Sequence, residues 1–161
     1  MKKTIKTKTV LSAYSLLGTA KYTQLDNADK IRVWKIASQM KPLAEKYNEL
    51  RMDAAAKFKP ETEGFDKMLE KAQNFERIIR LPNAKREDLP MGAAEYNSFM
   101  VEVMTPYDRL VEKALQPFVD KTVTLDIDEL SMEAFGALIG SNDWIMDKVI
   151  ELGDLIVNKK K

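Results

Sequence analysis

Apolar residues recur every three or four positions through most of this chain, and in two short stretches they alternate instead. The first spacing lines side chains along one stripe of a helix; the second puts them on one face of a strand. Val10, Ala13, Tyr14 and Leu17 mark a short helix over residues 10–20, with Thr9 as its N-cap and Gly18 near its end. Asp26 or Asn27 opens a long helix. Its stripe runs Ile31, Trp34, Ala37, Met40, Leu43, Ala44, Tyr47, Leu50, Ala54 and Phe58, and Pro60 stops it. Pro42 removes one backbone hydrogen bond inside that helix, which predicts a kink or a split.

A third helix is predicted over about 62–81, with Phe65, Met68, Leu69, Ala72, Phe75 and Ile79 on its face and Pro82 at its end. Residues 82–92, which carry Pro82, Asn83, Pro90 and Gly92 and no apolar period, read as a flexible loop. The fourth helix, about 93–117, presents Tyr96, Phe99, Met100, Val103, Tyr107, Leu110, Val111, Ala114 and Phe118 on one side, and Pro106 should bend it. Ser131 caps a short helix ending near Gly140. Asn142 caps a last one, with Ile145, Val149, Leu152 and Ile156 inward. Residues 158–161 read as a frayed tail.

The alternating stretches are 122–128 and, more weakly, about 3–8. Val123, Leu125 and Ile127 face one way, and Thr124, Asp126 and Asp128 the other; Lys3, Ile5 and Thr7 share a side. A lone strand leaves backbone groups unpaired, so the two segments are each other's natural partners. Pairing would set lysines opposite Asp126 and Asp128. Pairing between two copies of the chain satisfies the pattern equally well. The fold class is therefore mainly α: a bundle of about five to six helices with a minor two-stranded β element, in a single domain over 1–161.

Charge sharpens this picture. The 161 residues carry a formal net charge of +1, spread unevenly. Residues 1–25 hold Lys2, Lys3, Lys6, Lys8 and Lys21 and no acid, whereas 119–156 hold nine acids against Lys121 and Lys148. Either the basic start lies against the acidic end, or it is an arm for nucleic acid or lipid. The start also has the outline of a secretory signal, with Gly18-Thr19-Ala20 as a cleavage site. Ser12, Tyr14 and Ser15 interrupt its apolar run, so the segment reads as part of the domain. No stretch has the roughly 20 apolar residues that span a bilayer, and no membrane partner is expected.

The chain has no cysteine and no histidine. That removes disulfides, serine–histidine and cysteine–histidine catalysis, and zinc held by nitrogen or sulfur. Its six glycines are scattered, so no phosphate loop forms. Asp120, Asp126, Asp128, Glu129 and Glu133 are the one group suited to a hard cation, but they lack the glycine and later glutamate of a calcium loop and sit where aspartates cap helices. No catalytic residue, cofactor or metal is expected. Lysines and arginines along 30–59 are interspersed with Glu45, Glu49 and Asp53, which reads as a mixed solvated face. Candidate partner-binding residues are Trp144 and Trp34, as aromatic anchors, and Lys3, Lys6 and Lys8 as a basic arm.

The order of features then becomes informative. A lysine-rich start precedes Val10-Leu11-Ser12-Ala13-Tyr14-Ser15-Leu16-Leu17; Leu25-Asp26 opens a charged helix from Lys30 to Phe58 containing Tyr47-Asn48-Glu49-Leu50-Arg51. Val123-Thr124-Leu125-Asp126-Ile127 follows near the end, then a helix from Ser131. This layout resembles a family of small uncharacterised tailed-phage proteins encoded among structural and tail genes. The likeness covers most of the chain without a diagnostic motif, and residues 62–118 add a helix pair. It implies a phage or prophage origin and a non-enzymatic role in virion assembly or host interaction. The place would be the cytoplasm of an infected or lysogenic bacterium, or the virion. The partner would be a protein or a second copy of the chain, with a nucleic-acid-binding or host-directed regulatory module as the alternative.

Overall fold

The computed structural model describes residues 1–158. In chain order the elements are β1 (Lys2–Lys6), α1 (Thr7–Thr19), α2 (Asn27–Phe58), α3 (Phe65–Ile79), α4 (Ala93–Phe99), α5 (Thr105–Val119), β2 (Thr122–Asp126), α6 (Met132–Gly140) and α7 (Met146–Ile156). A π-helical turn, Met100–Met104, joins α4 to α5 without a break, so the described residues form six helical rods and one small sheet. The class is mainly α with a two-stranded element, as the patterning predicts. Lys159, Lys160 and Lys161, most of the expected tail, lie outside the described residues.

The chain divides into two compact units. The first comprises Met1–Leu50 and the described residues from Gln116 onward; the second comprises Arg51–Leu115. The single domain drawn from the missing linker thus contains two units, and the chain passes between them inside α2 and α5.

In the first unit β1 and β2 pair antiparallel within the chain, Lys2 opposite Asp126 and Lys6 opposite Thr122. Asp128 falls beyond the ladder. Thr4 and Thr124 meet across the outer face, hydroxyl to hydroxyl at 3.0 Å. The ladder runs on into α1, whose first residue, Thr7, is fully buried. Both its N–H and its hydroxyl donate to the Lys121 carbonyl, at 2.8 and 2.9 Å. The helix therefore starts two residues before the predicted Thr9 cap. Val10, Ala13 and Leu17 are buried as expected, against Val33, Ile36, Met40, Ile127, Leu130, Leu138, Leu152 and Ile156.

Asp26 caps α2, its carboxylate accepting the Asp29 N–H at 2.8 Å. The helix continues through Pro42 unsplit. Ser131 Oγ accepts the Ala134 N–H at 3.1 Å and caps α6. Asn142 does not cap α7, which begins four residues later at Met146. Its side chain instead clasps the backbone of Lys21, accepting from N–H at 2.7 Å and donating to C=O at 2.9 Å, and also donates to Leu138 C=O. Alpha-helix α7 passes so close to α6 that a Cβ on Gly153 would lie 3.1 Å from the Phe135 ring. A parallel bridge joins Leu130 to Val157, and Asn158 N–H reaches Leu130 C=O at 3.1 Å, so the first residue of the expected tail is bound to the fold.

The second unit is built on aromatic side chains. Phe65, Ala72, Phe75, Met91 and Phe99 form its buried core. Phe75 and Tyr96 stack with centroids 4.4 Å apart, and Tyr107 meets Phe65 edge-on at 6.0 Å. Gly64, at φ 78°, makes the left-handed turn into α3. The 82–92 segment holds a short 3-10 turn at Arg86–Asp88, where Lys85 N–H donates to the Asp88 carboxylate at 3.1 Å; Met91 anchors it in the core.

Pro106 explains the π turn. It has no N–H to return to the preceding turn, and its ring crowds that turn's carbonyl. Widening the helix moves the bonding out by one residue, with Thr105 N–H and hydroxyl both directed at Met100 C=O. The predicted bend is taken up as an inserted residue. Beyond it the apolar stripe changes phase: Leu110 and Ala114 turn outward, and Leu115 turns in.

Candidate functional site

Among the five predicted partner-binding residues, Lys3 is committed to the fold. Its ammonium lies 2.6 Å from Leu155 C=O, 3.5 Å from Asp154 C=O and 3.3 Å from Glu129 Oε1. A cation there meets the unsatisfied carbonyls and negative dipole end of α7. The Lys3 and Glu129 side chains are only 16% and 13% exposed. The basic start and acidic end are joined inside the molecule, as one reading of the charge asymmetry expects. Lys6 and Lys8 are exposed, on β1 and the first turn of α1.

Trp34 is 66% exposed and Ile31 55% exposed, so the predicted stripe of α2 starts on the wrong face. Val33 and Ile36 are buried instead, and the predicted stripe joins the buried face at Met40. Both sets have helical spacing, and packing selects the second. Trp144 is half-buried against the first unit's core. Beside it, Ile145 and Met146 are each 68% exposed, with Ile150 exposed one turn further along α7. Ile145 was expected inward; as the residue before the helix it has no place on the inward stripe of Leu152, Leu155 and Ile156.

The α2 charges pair along the helix: Lys41 with Glu45 at 3.4 Å and Lys46 with Glu49 at 3.2 Å. Among the described residues no three acids gather in a way that could hold a metal ion. Glu129 faces Lys3, and Asp120 accepts from Gln116 at 2.6 Å. No described helix is long and apolar enough to cross a membrane.

Two tyrosines have displaced proton equilibria. A hydrogen bond to Glu76 at 2.5 Å raises the Tyr96 phenol above its usual value, with burial and the Glu76 charge adding to it. Burial raises Tyr22, whose hydroxyl donates to Leu17 C=O. Both bonds hold elements together.

A groove of about 470 Å³ in the second unit was not foreseen. Phe65, Met68, Phe99 and Val103 form its floor, and Glu63, Glu95, Ser98 and Glu102 its rim. The spacing of Glu95, Ser98 and Glu102 puts them on one helix face and was readable in advance. That Glu63 stands across from them follows only from how α3 folds back.

Comparison of the chain with protein-family models, curated proteins and solved structures finds no match.

Proposed function

We propose that this chain is a non-enzymatic interaction protein of phage or prophage origin, which assembles with itself or chaperones a structural partner. The observation that carries the proposal is the apolar surface at the start of α7. Ile145, Met146 and Ile150 stand in solvent beside the half-buried Trp144. Contiguous large apolar side chains on a surface are characteristic of association sites, and tryptophan is a typical anchor within them. The layout likeness to small tailed-phage proteins supports the origin. The non-enzymatic part rests on residue types: the chain lacks histidine and cysteine, and two charged pairs tie elements of the fold together, Lys3 with Glu129 directly and Lys148 with Glu151 through the Ser12 hydroxyl of α1 that both reach. Lys6 and Lys8 keep a nucleic-acid alternative in view, for which salt-dependent retardation of a DNA fragment is the test.

Light scattering after size exclusion tests the main reading. The expected result is a mass above one chain that rises with concentration, returning to one chain in Met146→Lys/Ile150→Lys. A single-chain mass at every concentration, with no phage structural protein retained in a pull-down, would count against it.

A further inference from the structure

The groove of the second unit has two properties that together name an occupant. Its floor is apolar: Phe65 and Phe99 are nearly fully buried, with Met68 and Val103 half-buried beside them. Its rim carries three carboxylates and no basic residue. None of Glu63, Glu95 and Glu102 has an ion-pair partner among the described residues, although the chain as a whole is slightly basic. Lys59 lies close by but is held by Asp66 at 2.8 Å.

We infer that this groove binds a cationic amphipathic helix of a partner protein. Such a segment would lay apolar side chains at i, i+3/i+4 and i+7 on the floor and set lysines or arginines against the rim. Glu95 and Glu102 are seven residues apart, about 10 Å along a helix, which suits two turns of a bound helix. Met68 can adjust to different apolar side chains, since its unbranched chain repacks easily. The carboxylates supply orientation and selection against acidic segments. This inference does not rest on the α7 surface; either can fail alone.

The test uses the full chain and three labelled synthetic peptides of equal length, followed by fluorescence anisotropy. One is a leucine/lysine amphipathic helix, one replaces lysine with glutamate, and one is a leucine/lysine scramble without a stripe. The leucine/lysine helix should bind at least about tenfold more tightly than either control and weaken as salt rises. Glu95→Lys/Glu102→Lys should lose that binding by at least about tenfold, and Glu95→Gln/Glu102→Gln should lie between. Circular dichroism confirms the fold of each variant, since all the altered side chains are exposed. Equal binding of the lysine and glutamate peptides would overturn the inference. So would unchanged affinity in the charge-reversed variant, or displacement of the peptide by benzyltrimethylammonium at equal concentration, which would indicate a small-cation pocket.

Discussion

The two units hold themselves together by different means. The first is closed by ties between residues far apart in sequence: the β1–β2 ladder, Lys3 on the end of α7, Asn142 on Lys21, and the Leu130–Val157 bridge. The second relies on neighbouring helices and a compact set of aromatic rings. Non-local ties resist piecemeal opening, because releasing one strand exposes many partners together. A small core between adjacent helices opens more cheaply. The second unit should therefore exchange its amide hydrogens faster than the first.

Five substitutions bear on that contrast. The largest effect is expected from Phe75→Ala, which empties the centre of the small aromatic core at a cost of about 4 kcal/mol. Hydrogen exchange should show protection lost across 65–115 and largely kept in α1 and α6; uniform loss would merge the two units into one cooperative block. Lys3→Met should cost about 2 kcal/mol in urea unfolding, because Glu129 stays sheltered without its cation. Adding Glu129→Leu should recover most of that loss.

Ser131→Ala removes the α6 cap and should cost about 1 kcal/mol, seen as earlier exchange at the start of that helix. The smallest effect concerns Tyr96. Its phenol titrates higher in the folded chain than in the unfolded one, so the stability it contributes is intact below the usual tyrosine value of about 10. That contribution is lost as pH climbs through the folded value. Tyr96→Phe should make the alkaline decline in melting temperature shallower, and Tyr22, raised in the same sense by burial, should account for part of what remains.

Elements whose signal is local were legible in advance. Two-residue alternation marked both strands, and complementary charge suggested their pairing. Asp26 and Ser131 marked helix starts through their side-chain oxygens. Phase was harder. Ile31 and Trp34 share helical spacing just as Val33 and Ile36 do, either pair leads on to Met40, and only the surface that α2 packs against chooses between the pairs. The π turn hid Leu115 for a related reason, since one extra residue in a turn shifts the positions after it, and here Leu110 and Ala114 lose the inward side while Tyr107, Val111 and Phe118 stay half-buried. At the groove, the rim on α4 follows from spacing. The floor does not, because Phe65 and Phe99 meet only when α3 and α4 fold together.

The discontinuity of the first unit bears on how the chain is made. As it leaves the ribosome, β1 emerges long before β2 exists to pair with it. At about 5–20 residues per second the gap is on the order of 6–25 s. Throughout that interval Val10, Leu17, Ile36 and Met40 lack the cover that Ile127, Leu130, Leu138, Leu152 and Ile156 give them, whereas the second unit, contiguous in sequence, can assemble as soon as it appears. Low temperature or slow translation should lengthen this window, and early aggregates should contain the first fifty residues.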